Sequence, residues 1–387
     1  MIVCTLAGGS RPQQLENAPD NTDEHMTEAC DILILGTGPF AQRVACDLAA
    51  TATEPTRVAV AGRNAFRLAW ILTAARARAE MFARPVAIEG HEIDLGESGR
   101  VAELLVGLRA AVIVQAASLQ PASVISGGAN GWTRLVAEGG LSATAVFQAV
   151  LTSRVARALA HVSPHSRLIN CCFPDVANGI VAAMGLPVDC GIGNIAILAH
   201  AFAGMLEGDP RPKLQMLCHY QNIAPWRLAP ALRSGPSARV WLDGAEVADV
   251  YARFAAVQLT PEPVIDISGA SGATLTLAMA HGRNWSGHVP GPMGLPGGYP
   301  IAWKGGRIDL ELPKGIDREA AIAWNARFEA ENGLVVGPDG RARYTGRLYD
   351  AFRAESPDIA AGFDVADLEH VCQAMSALRG RMLARPT

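Results

Sequence analysis

His219 stands in LCHYQNIAPW, residues 217–226, directly after an apolar run and six residues before Pro225. An imidazole near its ordinary pKa can give a proton to a carbonyl or imine as hydride arrives, or take one in reverse. Gln221, Asn222 or a backbone carbonyl could set its tautomer; a packed histidine with no chemical task is the competing reading. The second chemical signal is Gly36-Thr37-Gly38-Pro39-Phe40-Ala41, a G-x-G-x-x-A run between a short apolar stretch and a helical pattern. In such a run the first glycine permits a tight turn and the second lets a pyrophosphate approach the backbone. Ala41 allows close helix–strand packing, and the helix N-terminus attracts phosphate. Dinucleotide binding is therefore predicted. At the end of the next apolar run an Asp or Glu would bond the ribose hydroxyls of NAD(H), but the chain has Gly62-Arg63-Asn64. Arg63, supported by Asn64, suits a 2′-phosphate, so NADP(H) is favoured over NAD(H).

Other residues carry weaker signals. His288 sits in a Gly/Pro-rich stretch that could border a cleft, whereas His200 lies on an apolar helix and reads as core. His161 and His165 flank a helix end, where a cation is simply favourable. Asp175, in CFPDVAN, lies just beyond a strand and reads first as a helix cap and second as a catalytic carboxylate. Asn194, in GIGN, could bind substrate or cap its helix.

These groups need a scaffold. DILILG (31–36) reads as a buried strand followed by a helix over 41–52. RVAVAG (57–62) is a second strand, after which Asn64 can cap a helix to about Ala83. PVAIEG (85–90) is a third strand with a helix around 99–108, and AAVIVQAAS (110–118) is a fourth. Residues 120–131 are rich in Ser, Gly, Pro and Asn and predict a long loop; a helix over 142–161 and a fifth strand, SRLINCCFP (166–174), follow. The alternation predicts parallel βαβ units: an α/β, doubly wound dinucleotide-binding domain over residues 30–178. Residues 179–387 read as an α+β domain for substrate and dimerisation. It has an apolar helix over 192–206, strands at 213–220, 238–242 and 263–267, and a helix over 270–284. A rigid Gly/Pro loop at 287–300, a hairpin turning at Gly305-Gly306, and helices over 317–331 and 364–383 complete it. Residues 10–28 are polar without apolar period, and residues 1–29 read as a disordered leader or a stretch before a true start at Met26.

Composition bounds the rest. Half of the 387 residues are hydrophobic and 18% are charged, which excludes disorder across the chain. With 33 Lys plus Arg against 37 Asp plus Glu, the net charge of −4 offers no basic face for nucleic acid. The longest uncharged apolar stretch, 190–206, still carries Asn194, His200 and glycines, so no membrane span is predicted. Eight cysteines without C-x-x-C spacing read as small buried hydrophobes in a reducing cytoplasm, and no metal site is expected.

The motifs together resemble the lactate/malate dehydrogenase family, over roughly residues 31 to 335. LCHYQNIAPW resembles its H-x5-P segment, DILILGTGPFAQ its opening fingerprint, and VIVQAAS its fourth strand beside the nicotinamide. RLINCCFPDVAN is similar to its Asn-Pro-containing turn, and GASGATLTLAMA and YPIAWKGGRIDLELP to its late helix and closing hairpin. The resemblance implies a Rossmann domain of that type, His219 as the proton shuttle, Ala116, Ala117, Ser118 and Asn170 on the cofactor, and a homodimer. It also marks departures. Ala196 and Ala199 stand where the family has an acidic partner for the histidine and a carboxylate-clamping arginine. Trp132 stands near its loop arginine, with Arg134 two residues away. Alanine cannot replace a bidentate clamp, so ordinary malate or lactate turnover is not expected. Trp132, Asn194 and His288 are then the expected substrate contacts. The GTGP turn and VAVAGR are also similar to opine-type dehydrogenases. Two further readings remain: an NADP(H)-binding sensor or scaffold without turnover, and an NAD-dependent glycosidase. The glycosidase would hold a metal on a Cys/His pair such as Cys190 and His219, but its Cys-His dipeptide is replaced by Gly193-Asn194.

Overall fold

The protein is described here by a computed structural model covering residues 29–120, 130–260 and 264–385. The expected leader over 1–29 and most of the expected 120–131 loop lie outside the described residues. The nucleotide half opens with β1 (Ile32–Leu35), α1 (Pro39–Thr51), β2 (Thr56–Gly62), α2 (Ala65–Met81) and β3 (Val86–Glu92). It continues with α3 (Ser98–Leu108), β4 (Val112–Gln115), α4 (Gly131–Gly139), α5 (Ala145–Val162), β5 (Arg167–Asn170), α6 (Pro174–Ala183) and β6 (Cys190–Gly191). All six strands pair in parallel in the order β3-β2-β1-β4-β5-β6. β1 and β4 are buried throughout, as strands covered by helices on both faces must be. The order reverses between β1 and β4, and at that switch point open α/β sheets leave a crevice beyond their strand ends.

The second half contains α7 (Ile195–Ala203), β7 (Leu214–Leu217), β8 (Arg239–Leu242), β9 (Ala245–Glu246), α8 (Ala273–Ala280), β10 (Trp285–Pro290), β11 (Gly298–Lys304) and β12 (Arg307–Leu310). They build two three-stranded antiparallel sheets, β7-β8-β9 and β10-β11-β12. Gly305 and Gly306, both at positive φ, turn the β11–β12 hairpin as expected. Half of the expected loop over 287–300 is sheet instead: β10 pairs with β11, and residues 291–297 connect them. β10 is an edge strand, where Pro290 forfeits no ladder bond. The expected strand at 263–267 is also corrected. Ile265–Ser268 is a helical turn, whose Ser268 hydroxyl bonds back to the Val264 carbonyl at 3.0 Å.

α9 (Arg318–Glu331) starts at Asp317, whose carboxylate accepts the Ala320 N–H at 2.7 Å. Beyond it the chain adds β13 (Leu334–Val336), β14 (Arg341–Tyr344), α10 (Gly346–Glu355), β15 (Phe363–Asp364) and α11 (Leu368–Leu383). Leu348, Phe352, Met375 and Leu378 of this tail share one core with Trp132, Phe147 and Val150 of the nucleotide half. Arg379 stacks on Phe147 at 3.9 Å and donates to the Leu119 carbonyl at 2.9 Å, fastening the tail beside the exit of β4. Among the described residues, no helix is long and apolar enough to cross a membrane.

Candidate functional site

The turn between β1 and α1 fits a dinucleotide phosphate. Gly36 has φ +127°, and a Cβ there would lie 3.1 Å from the Ala116 backbone carbon, so only glycine passes. Gly38 differs: it is extended, and a Cβ would meet nothing within 4 Å. Open space therefore lies over the backbone where α1 begins. No side chain caps this helix and no acid occupies its first turn, so its leading N–H groups face that space uncompensated. Pro39 costs no bond at this position. A cleft of about 230 Å³ adjoins the turn, lined by Gly36, Thr37, Gly62, Arg63, Asp94, Ala117 and Ser118 among others.

Arg63 lines this cleft and is largely exposed, with Nη1 3.9 Å from Asp94. That loose, solvated contact leaves the guanidinium able to turn to an anion. Asn64 does not support it: its side chain accepts the Arg67 N–H at 2.9 Å and caps α2. A cation the sequence reading missed is Arg67, whose Nε donates to the Thr37 carbonyl at 2.6 Å and so stands against the phosphate turn. Its position one turn after the cap was the available signal. Phe40 packs on the core behind the turn. Asn170 is fully buried with all four amide bonds spent: Nδ2 on Cys172 and Asn178, Oδ1 on Thr152 and the Cys172 N–H. It has nothing left for a cofactor, and its expected contact there is corrected to a structural one.

His219 follows β7, where Cys218 and Gly298 exchange backbone hydrogen bonds and tie the two antiparallel sheets together. Its ring is fully buried, stacked on Phe328 at 4.9 Å and tilted against Tyr220 at 4.4 Å. Nδ1 accepts the Gln221 backbone N–H at 3.4 Å, which assigns the proton of the neutral ring to Nε2. Nε2 lies 3.3 Å from the Glu329 carboxylate of α9. The approach is close, but the N–H direction is too oblique for a hydrogen bond, so Nε2 has no bonded partner. The histidine thus has an acidic neighbour after all, supplied by α9 rather than by the helix that carries Ala196 and Ala199. Both alanines are buried apolar contacts.

Glu329 organises its surroundings. It accepts from the Ser142 hydroxyl at 2.7 Å and the Leu334 N–H at 2.6 Å, while Ser142 also meets the Tyr220 hydroxyl at 3.1 Å. The buried stripe of α9 is Ala321, Asn325, Phe328 and Glu329. Two polar residues on an apolar helical face were the sequence signal for this site, and it was overlooked. Asp175, also buried, accepts the Tyr220 N–H at 3.1 Å and an amide hydrogen bond from Asn194. Burial pushes its carboxyl above the usual range, partly offset by His219. Asn194 holds a positive φ of 45° and Phe173 one of 49°, both outside the comfortable region for such residues. Strained backbone on both sides of Asp175 marks a place whose geometry is over-determined by its neighbours.

The other expected substrate contacts fall elsewhere. Trp132 is wholly buried, edge-on to Phe147 at 5.8 Å, in the core beneath the tail. Its neighbour Arg134 lies 4.0 Å from Glu138, one helical turn on. His288 lies on β10 opposite Pro300, with Nε2 buried and unpartnered. Burial pushes its imidazole down to about 3, with His200 and Lys213 adding to the effect. A base depressed on folding stays neutral while the unfolded chain takes up its proton, so this group removes stability as pH falls from about 6.5 towards 3. In His288→Gln the loss of urea midpoint over that window is expected to be shallower than in the wild type; equal slopes would contradict the assignment. The seven described cysteines are free, and burial pushes Cys172 up to about 12. Among the described residues, no three His, Cys, Asp or Glu side chains are grouped to hold a metal.

No family model matches the chain, and no curated protein matches it. Solved structures do. The malate dehydrogenase of Picrophilus torridus superposes with a TM-score of 0.52 at 12% identity, over 78% of this chain and 95% of its own. That of Salinibacter ruber gives 0.50 at 11% identity, over 90% and 99%. At these identities the likeness is one of fold: an α/β Rossmann-like unit with a second, antiparallel part, as malate dehydrogenases have. Neither match supports the opine-type resemblance of the GTGP turn.

Proposed function

We propose that the chain is an NADP(H)-dependent oxidoreductase that moves hydride to or from a carbonyl or imine, with His219 as its acid/base. The observation that carries the reading is the uncapped start of α1 over the open face of Gly38, beside a cleft that ends at Arg63. A nicotinamide dinucleotide would supply or accept the hydride. Gly36, Thr37, Gly38 and Pro39 would hold its pyrophosphate with Phe40 behind them, and Arg63 with Arg67 a 2′-phosphate. Ala116, Ala117 and Ser118 follow β4 at the edge where the nicotinamide would lie. His219, its Nε2 3.3 Å from the Glu329 carboxylate, would give or take the proton at that nitrogen. Ala196 and Ala199 stand where the resemblance places an acidic partner and a carboxylate clamp, so ordinary malate or lactate is not the expected substrate. The protein is expected to be cytoplasmic and dimeric, residues 30–178 holding cofactor and 179–387 substrate, without nucleic-acid or membrane partners.

Cofactor choice is read by fluorescence titration. The wild type should bind NADPH at least tenfold more tightly than NADH, and Arg63→Ala should erase most of that ratio. A preference for NADH, or a ratio unchanged in Arg63→Ala, would overturn the Arg63 assignment while leaving the turn's role intact.

One observation favours a second reading. His219 is fully enclosed, so a substrate reaches Nε2 only if the surrounding chain opens. A cofactor-binding sensor or scaffold without turnover needs no such opening. Cofactor binding with no turnover on any carbonyl or imine, in a protein whose His219 amides never exchange, would establish it.

A further inference from the structure

Past β4 the wall of the cofactor cleft leaves regular structure. Residues 116–120 belong to no strand or helix, yet Ala117, Ser118 and Leu119 line the cleft. Side chains replace the missing ladder. The Ala117 carbonyl accepts from the Gln115 amide at 2.9 Å and from the Cys172 thiol at 3.2 Å. The Ser118 hydroxyl donates to the Gln120 carbonyl at 3.0 Å and accepts the Gln120 N–H at 3.3 Å. The Leu119 N–H reaches the Phe147 carbonyl at 3.1 Å. All of these ties come from within the nucleotide half. One more comes from the tail: Nη1 of Arg379, on α11, donates to the Leu119 carbonyl at 2.9 Å and to the Gln120 side-chain oxygen at 3.1 Å. The guanidinium is half-buried and lies 3.9 Å over the Phe147 ring, on a helix whose Met375 and Leu378 pack in the shared core. One nitrogen thus bridges two successive residues, and the stack fixes the plane from which it donates.

We propose that Arg379 is a positioning residue of the cofactor site: from a tail that contributes no residue to the cleft, it sets the segment against which the nicotinamide half of the dinucleotide lies. The role in binding rests on the dinucleotide reading, whereas the hold on the segment does not. The adenosine half, at the Arg63 end of the cleft, does not depend on this support.

Calorimetric titration of the full-length wild type and Arg379→Met with NADPH and with 2′,5′-ADP tests this, with NADH and ADP in their place if NADH is the tighter ligand. Methionine keeps an apolar stem on Phe147 and removes both hydrogen bonds. Arg379→Met should bind NADPH at least tenfold more weakly than the wild type and 2′,5′-ADP within twofold, a split that a general loss of packing does not produce. A smaller loss for NADPH, or an equal loss for both ligands, would overturn the proposal. Amide hydrogen exchange of the nucleotide-free protein reads the hold on the segment directly. The Leu119 and Gln120 N–H groups should exchange at least tenfold faster in Arg379→Met with those of β4 unchanged, and equal rates would also overturn it. Should Arg379→Met fail to fold by near-ultraviolet circular dichroism, Arg379→Lys decides by the same split at threefold or more, since lysine keeps the charge but not the planar stack. The two readings fail separately: a wild type that binds neither dinucleotide removes the cofactor and its site together, whereas tight NADPH binding unaltered in Arg379→Met removes only the role of Arg379.

Discussion

His219→Gln is expected to lower NADPH oxidation by about 10²–10⁴-fold, measured on whichever carbonyl or imine the wild type reduces fastest. Glutamine retains an amide that can replace the contact with Glu329 but has no proton to give near neutral pH. The ring lies between Phe328, Tyr220 and Glu329, and none of these three lines the cleft beside Gly38. NADPH affinity should therefore stay within about twofold, and the loss should fall on kcat rather than on cofactor binding. Retention of full activity would return His219 to the status of a packed core residue.

The second large effect falls on stability. Glu329 is buried and holds Ser142, the first residue of β13 through the Leu334 N–H, and the His219 side of the fold. Glu329→Ala strips a partner from each at once. A loss of about 3–5 kcal/mol is expected, as when one side of a buried polar pair is removed. Glu329→Gln should cost less, because its carbonyl still accepts from Ser142 and Leu334, although its amide nitrogen then faces His219 Nε2. Urea denaturation with unchanged slope reads both values. A loss below about 1 kcal/mol for the alanine variant would mean that the network relaxes freely and does not fix the geometry of His219.

What the chain displays in sequence follows from how local each signal is. β1, β2, β4 and β5 are short apolar runs separated by helical periods and lie where those runs predict, whereas the two-residue β6 was not read as a strand. The turn at Gly36 and Gly38 is equally local. The chemistry around His219 is not. Glu329 comes from α9, more than a hundred residues away, and Ser142 from the entry to α5, so no spacing rule joins them. Trp132 misled for the related reason that a tail beyond residue 332 covers it, and nothing near residue 132 announces that tail. The Gly/Pro stretch at 287–300 read as loop because proline opposes sheet, yet Pro290 lies on the edge strand β10, where its missing N–H costs nothing.

The claim at the centre of the account is that a nicotinamide dinucleotide lies on the turn before α1, and Gly38→Val addresses it most directly. Residue 38 is extended and its Cβ would enter empty space, so valine leaves the fold undisturbed while filling the volume the pyrophosphate needs. Calorimetric titration should give saturable NADPH binding to the wild type and at least a hundredfold weaker binding to Gly38→Val, at unchanged thermal midpoint. Failure of the wild type to bind either NADPH or NADH, or equal binding by the valine variant, would contradict it.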